Sequence, residues 1–170
     1  LIHFFLRDFV NNEDRDASEE EGYDPLFKIQ PVIDRVCPTY QASFSPGRDL
    51  SMDESLVPFK GRVGFKQYLS LKPTKWGIKF WVITDSCIGF CLDWSVYTGK
   101  NEQQPRDGDG LTTRVVKNLL RAFNGSGRTV YTDSFYTSPD LYEYLRDQKL
   151  GACGTMRLNS KGLPPTMREA

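Results

Sequence analysis

The 170 residues carry 22 basic and 22 acidic side chains, hence no formal net charge, with 39% hydrophobic and 13% aromatic residues, the profile of a soluble globular protein. No apolar run approaches the roughly 20 residues that a membrane-spanning helix needs, so no membrane partner is expected. The start, Leu1-Ile2-His3-Phe4-Phe5-Leu6-Arg7, has no basic lead and no small-residue cleavage site, which argues against a signal peptide.

The chain begins without methionine and stops in Leu163-Pro164-Pro165-Thr166, so it reads as a piece of a longer protein holding one domain core. Residues 1–22 read as the end of a helical and acidic region with its linker. From Asn11 to Asp24 seven acids stand against Arg15, a run that repels itself and stays solvated. Residues 23–49 read as a helical lead-in. Asp24 can cap, Pro25 suits the first helical position, and Leu26, Ile29, Ile33 and Val36 give an apolar stripe. Pro31 removes a donor inside that stripe and predicts a kink, and Cys37-Pro38 is expected to close the segment.

Residues 50–170 then show the period of strands alternating with helices. Ser51 to Lys60 is the first candidate strand, and Gly77 to Thr84 gives the strongest strand signal. Cys87 to Tyr97 follows across an Asp85-Ser86 turn, which predicts an antiparallel hairpin. Gly99 to Gly110 is a glycine-rich loop. Leu111, Val115, Val116, Leu119, Leu120 and Phe123 predict an amphipathic helix ended by Asn124-Gly125. Arg128 to Asp133 is a short strand, Ser138-Pro139 starts a second helix with Leu141, Tyr144 and Leu145, and Gly151 to Arg157 is a last strand. Three antiparallel strands, then helix, strand, helix and strand, predict a mixed α/β sheet covered by helices, with the fourth strand parallel to an earlier one.

Cys37, Cys87, Cys91 and Cys153 form no CxxC pair and His3 is the one histidine, so a structural zinc site is not expected. Cys87 and Cys91 read as two small buried apolar residues sharing a strand face. The glycosylation-like Asn124-Gly125-Ser126 reads as a turn.

Charge is unevenly distributed. Between Glu54 and Asp85 lie Lys60, Arg62, Lys66, Lys72, Lys75 and Lys79 with no acid, interleaved with Phe59, Phe65, Tyr68, Trp76 and Phe80. That mixture suits a phosphate backbone, and an ordinary hairpin with a lysine-rich face reads equally well. Two carboxylates stand where chemistry would want them: Asp53 near the start of the first strand and Asp133 at the end of the fourth. If those strands are adjacent and parallel, both reach one edge of the sheet. Carboxylates without histidine or cysteine favour hard cations such as Mg²⁺ or Mn²⁺, and two such ions about 3.5–4 Å apart support phosphodiester transfer. Strand-end aspartates also serve as plain turn formers. A hairpin closing symmetrically about Leu69 would set Asp53 opposite Asp85, which reads as a turn residue first and a metal-site neighbour second.

Ser51-Met52-Asp53-Glu54-Ser55-Leu56-Val57-Pro58-Phe59-Lys60-Gly61-Arg62 and Lys72-Pro73-Thr74-Lys75-Trp76-Gly77-Ile78-Lys79 resemble the segment around the first catalytic aspartate of piggyBac-type transposases. Thr132-Asp133-Ser134-Phe135-Tyr136-Thr137-Ser138 is similar to the segment around the second. Gly154-Thr155-Met156-Arg157-Leu158-Asn159 resembles the strand that follows, and Asp24-Pro25-Leu26-Phe27-Lys28-Ile29 the lead-in. The resemblance covers roughly residues 20 to 165. It implies an RNase H-like fold, here an incomplete one, and cut-and-paste DNA transposition on two divalent metals, Mg²⁺ or Mn²⁺. Asp53 and Asp133 would be the first two members of an Asp triad whose third lies beyond Ala170, so these residues alone are expected to be inactive. It further implies double-stranded DNA as partner, held by the 60–79 basic stretch, and a nuclear location. The assembly state, homodimer included, stays open. The alternatives are a domesticated DNA- or chromatin-binding module without catalysis and an interaction scaffold with no nucleic-acid role.

Overall fold

The computed structural model describes residues 24–70, 72–99 and 110–167. The acidic run before Asp24, the linker reading of residues 1–22, His3 and the body of the loop after Gly99 lie outside them. Among the described residues the chain forms three α-helices and six strands: α1 (Gln30–Ser43), β1 (Asp49–Pro58), β2 (Gln67–Tyr68), β3 (Trp76–Asp85), β4 (Cys91–Val96), α2 (Leu111–Leu120), β5 (Thr129–Thr132), α3 (Pro139–Asp147) and β6 (Gly151–Gly154). No helix among these residues is long and apolar enough to cross a membrane.

The lead-in differs from expectation. The Asp24 carboxylate does accept the Leu26 amide at 2.8 Å, but it caps a loose turn and the regular helix starts at Gln30. Pro31 therefore falls in the first helical turn, where its missing donor costs nothing, and Pro38 is the proline inside the helix. The helix continues past Pro38 because that side of α1 is exposed: water can reach the Asp34 carbonyl that loses its partner, and the Thr39 hydroxyl donates to the Arg35 carbonyl at 2.9 Å. No residue of α1 is fully buried. It rests on the β3–β4 turn through Phe44, whose ring lies 4.6 Å from that of Phe90.

The strands form one mixed sheet in the order β2-β3-β1-β5-β6, with β4 on β3. β2 and β4 share the outer edge of β3: β2 pairs along Trp76–Gly77, β4 along Phe80–Thr84. β1 is central. It runs antiparallel to β3 over its whole length beyond Asp49 and parallel to β5 only from Asp49 to Met52. β5, α3 and β6 make a parallel β–α–β unit.

One face of the sheet alternates apolar, as a half-buried strand should. Leu50, Met52, Trp81, Ile83 and Val130 are buried against Val116, Leu119 and Leu120 of α2 and Leu141 and Leu145 of α3. The Ser138 hydroxyl caps α3 by accepting the Leu141 amide at 3.2 Å.

Three details correct the sequence reading. The hairpin is not symmetric about Leu69: Asp53 faces Val82, and Asp85 faces Leu50. The cause is β2, two residues long, which takes up chain between β1 and β3 and shifts the register. The β3–β4 turn is also longer than expected, so Cys87 lies exposed in it while Cys91 is half-buried on β4; they are not a buried pair on one strand. β6 stops at Gly154 rather than Arg157.

Candidate functional site

Asp85 explains that longer turn. It is 3% exposed, and its carboxylate accepts the amides of Gly47 at 2.8 Å, Cys87 at 2.9 Å and Ile88 at 3.1 Å. These donors, Gly47 foremost, hold its pKa below the ordinary carboxylate value. Asp85 thus ties the β3–β4 turn to the segment entering β1.

Asp53 and Asp133 come together through the parallel pairing of β1 and β5. The last registered pair is Met52↔Thr132, so each aspartate is the next residue along the chain, Asp53 within β1 and Asp133 just past β5, and both are exposed. Met52 and Thr132 point into the core, which turns the following side chains away from it. Asp53 sits inside β1, clamped by β3 through Val82, and its carboxylate accepts the Glu54 amide at 2.7 Å. Asp133 sits one residue beyond β5 and accepts the Phe135 amide at 3.0 Å, an Asx turn that reverses the chain.

That turn is held from beneath. The Asp133 carbonyl accepts the Thr137 hydroxyl at 2.8 Å. The Thr137 hydroxyl is 2.9 Å from that of Thr132, which is 3.2 Å from the Tyr142 hydroxyl on α3. β6 presses on the same group. A Cβ on Gly154 would stand 2.1 Å from the Thr132 carbonyl oxygen and 2.8 Å from the Tyr142 hydroxyl, so only glycine fits there.

Four further residues complete the surroundings; of these, the sequence singles out Lys79, as a DNA-backbone contact, and gives Glu54, Phe135 and Tyr136 no role. Glu54 pairs with Lys79 at 2.6 Å. The Lys79 ammonium also lies 4.9 Å from the centre of the Phe135 ring, and Phe135 stands 43% exposed beside Asp133. Tyr136 is 2% exposed, and its hydroxyl is buried without a hydrogen-bond partner among the described residues. Burial chiefly, and then the charges of Glu54, Asp53 and Asp133, push its pKa far up, so it stays neutral. Alternation alone marks Glu54 as the neighbour of Asp53 turned to the other face, whereas no spacing singles out Tyr136 within Phe135-Tyr136-Thr137.

Among the described residues no three of His, Cys, Asp and Glu gather closely enough to cage an ion. The pair Asp53 and Asp133 nevertheless fits a hard divalent cation in its donor chemistry: two carboxylates, open to water, with no sulfur or imidazole between them. An open groove of about 530 Å³ lined by Ser51, Asp53, Ser55, Phe80, Val82 and Trp94 leads along the sheet face to Asp53.

The basic residues divide into two sets. Lys60, Arg62, Lys72 and Lys75 are exposed on the segments around β2. Lys66 and Lys79 are half-buried and already donate, Lys66 to the Gly61 carbonyl at 3.0 Å and Lys79 to Glu54.

The family model described as Transposase IS4 matches residues 6–170. The human "PiggyBac transposable element-derived protein 3" is 29% identical over 153 residues, covering 88% of this chain and 26% of the relative. The human "PiggyBac transposable element-derived protein 2" is 28% identical over 160 residues, covering 92% of this chain and 26% of the relative. Among solved structures, a cryo-EM structure titled as the piggyBac transposase synaptic complex with hairpin DNA superposes with a TM-score of 0.82 at 28% identity, covering 99% of this chain and 35% of that one. The chain thus spans about a quarter of the length of these two relatives, and its mixed sheet is the RNase H-like arrangement of the piggyBac transposase catalytic domain.

Proposed function

The chain belongs to the Transposase IS4 family and is a transposase-family core related to piggyBac transposase; from that premise we propose that it is part of the catalytic core for metal-dependent cut-and-paste DNA transposition. The observation that carries the proposal is the placement of Asp53 and Asp133 side by side, one residue past Met52↔Thr132 on adjacent parallel strands. In this reading their carboxylates are the first two ligands for Mg²⁺ or Mn²⁺. Such ions, when bound, supply Lewis-acid chemistry to a phosphodiester and its attacking oxygen. The protein's part is to hold Asp53 on a paired strand and Asp133 on a hydrogen-bonded turn.

Two carboxylates make an incomplete cage, so residues 1–170 alone are expected to bind the cation weakly and to perform no strand transfer. Double-stranded DNA is the proposed partner. Support comes from the solved neighbour, whose title includes hairpin DNA, and from the acid-free run that carries Lys60, Arg62, Lys66, Lys72, Lys75 and Lys79. Lys79, already paired with Glu54, would contribute least to phosphate contact. A nuclear location is part of the same proposal, resting on the resemblance to piggyBac-type transposases.

The test uses the chain with Mn²⁺ and a DNA duplex. Asp53→Asn and Asp133→Asn should each weaken Mn²⁺ binding about tenfold or more, and Mn²⁺ affinity indifferent to both substitutions removes the metal site. Lys72→Ala with Lys75→Ala should flatten the dependence of log affinity on log salt by about 2, one per lost phosphate contact. Duplex binding with the normal slope but no Mn²⁺ at these aspartates would instead identify a domesticated DNA- or chromatin-binding module. Robust Mg²⁺-dependent cleavage by residues 1–170 would refute the two-ligand account.

A further inference from the structure

At the far end of β1 from Leu50, the sheet shows an aromatic pair to solvent. Tyr68 and Trp76 are partners across β2 and β3, with ring centres 4.9 Å apart and planes inclined by 51°. They are 50% and 53% exposed, and Val57 beside them is 48% exposed. A Cβ on buried Gly77 would stand 2.3 Å from the Val57 carbonyl oxygen, so β3 lies tight against β1 next to the exposed Trp76. The Leu69 amide closes the tip by donating to the Lys75 carbonyl at 2.8 Å.

The Lys66 ammonium lies 5.4 Å from the centre of the Trp76 ring. One of its three protons goes to the Gly61 carbonyl, which leaves two for an anion. The exposed rings make the patch apolar and flat-faced, Lys66 stands at its edge, and the chain that carries it holds no acid between Glu54 and Asp85. Half-exposed aromatic faces favour a flat aromatic ligand, and the surrounding charge favours one that carries phosphate. A nucleotide in a duplex has its base faces covered by its neighbours; an unpaired one offers them.

We propose that Tyr68 and Trp76 form a stacking platform for an unpaired nucleobase of a DNA strand, with Lys66 meeting that nucleotide's phosphate. The proposal rests on the DNA-binding reading above and adds a second contact to it. The Gly77↔Pro58 level lies five strand residues from Asp53, about 17 Å at 3.3–3.4 Å per residue. The platform would therefore grip a strand several nucleotides from the paired carboxylates.

The test compares a short oligothymidylate with a DNA duplex. Trp76→Ala and Tyr68→Ala should each lower oligothymidylate affinity about tenfold while leaving duplex affinity unchanged. Trp76→Phe, which keeps a ring, should retain most of it, and Tyr68→Leu, which keeps apolar cover on Trp76 without a π face, should lose as much as Tyr68→Ala. Oligothymidylate should also quench tryptophan fluorescence, and Trp76→Phe should abolish that change. Unchanged oligothymidylate affinity, or an equal loss on both DNAs, overturns the platform while the DNA reading survives. A wild-type chain that binds neither DNA defeats the DNA reading itself, and the platform with it.

Discussion

Replacing Thr137 by Val tests what positions Asp133. Thr137 is 4% exposed and Thr132 7%, so valine keeps the shape of each and deletes a buried hydroxyl. Thr137→Val removes the 2.8 Å bond to the Asp133 carbonyl and the 2.9 Å bond to Thr132. At a net 0.5–1.5 kcal/mol per bond, the loss is about 2 kcal/mol. For a chain of this length that lowers Tm by about 4–8 °C. Thr132→Val removes the same shared bond and the 3.2 Å contact to Tyr142, and should cost about as much.

The double variant loses the shared bond only once. Its cost should therefore fall about 1 kcal/mol short of the sum of the singles. Urea melts of the four proteins, followed by circular dichroism, measure this cycle. Strict additivity, or either single variant within about 0.5 kcal/mol of wild type, would show that the hydroxyl chain does not hold the turn.

Three other outcomes follow from local physics. Burial foremost raises the pKa of Asp93, whose carboxylate accepts the Trp94 amide and a proton from Gln41. An acid with a raised folded pKa loses stability as pH climbs through its ordinary value, so Asp93→Asn should raise Tm at pH 7 and make no difference near pH 3, read by melts across pH. Asp85 has the opposite sign: its lowered pKa stabilises the fold above the ordinary carboxylate value, about pH 4, and that contribution is lost as pH falls below it. Asp85→Asn should therefore lower Tm at neutral pH and weaken the acid dependence of the melts. Gly154→Ala would force a methyl against the Thr132 carbonyl and should destabilise by at least about 1–3 kcal/mol in urea melts.

The sheet was legible because its strands alternate cleanly: Leu50 and Met52 inward, Ser51 and Asp53 outward, with the same period in Trp76–Asp85. The helices were legible from the spacing of Val115, Val116, Leu119 and Leu120 and from the Ser138-Pro139 start. Register was not. A two-residue strand such as β2 has no period of its own, yet it moved Asp53 from Asp85 to Val82. Pro38 misled because a proline's cost depends on whether water reaches the carbonyl it strands, which the sequence does not state. The neighbours of the aspartates were least visible. Lys79 reads in the sequence as a phosphate contact, yet it is engaged by Glu54 through a diagonal cross-strand pair, and Tyr136 arrives through a turn; neither arrangement has a sequence period.

β5 ends at Thr132 while β1 runs on to Pro58, which leaves a step in the sheet. One aspartate stands on the tread of that step, braced along its length by β3; the other hangs from a short reversal of the chain. The two mounts differ in compliance. In the proposed metal site, any closing of the pair on a cation would fall on the Asp133 side, with Asp53 as the fixed reference.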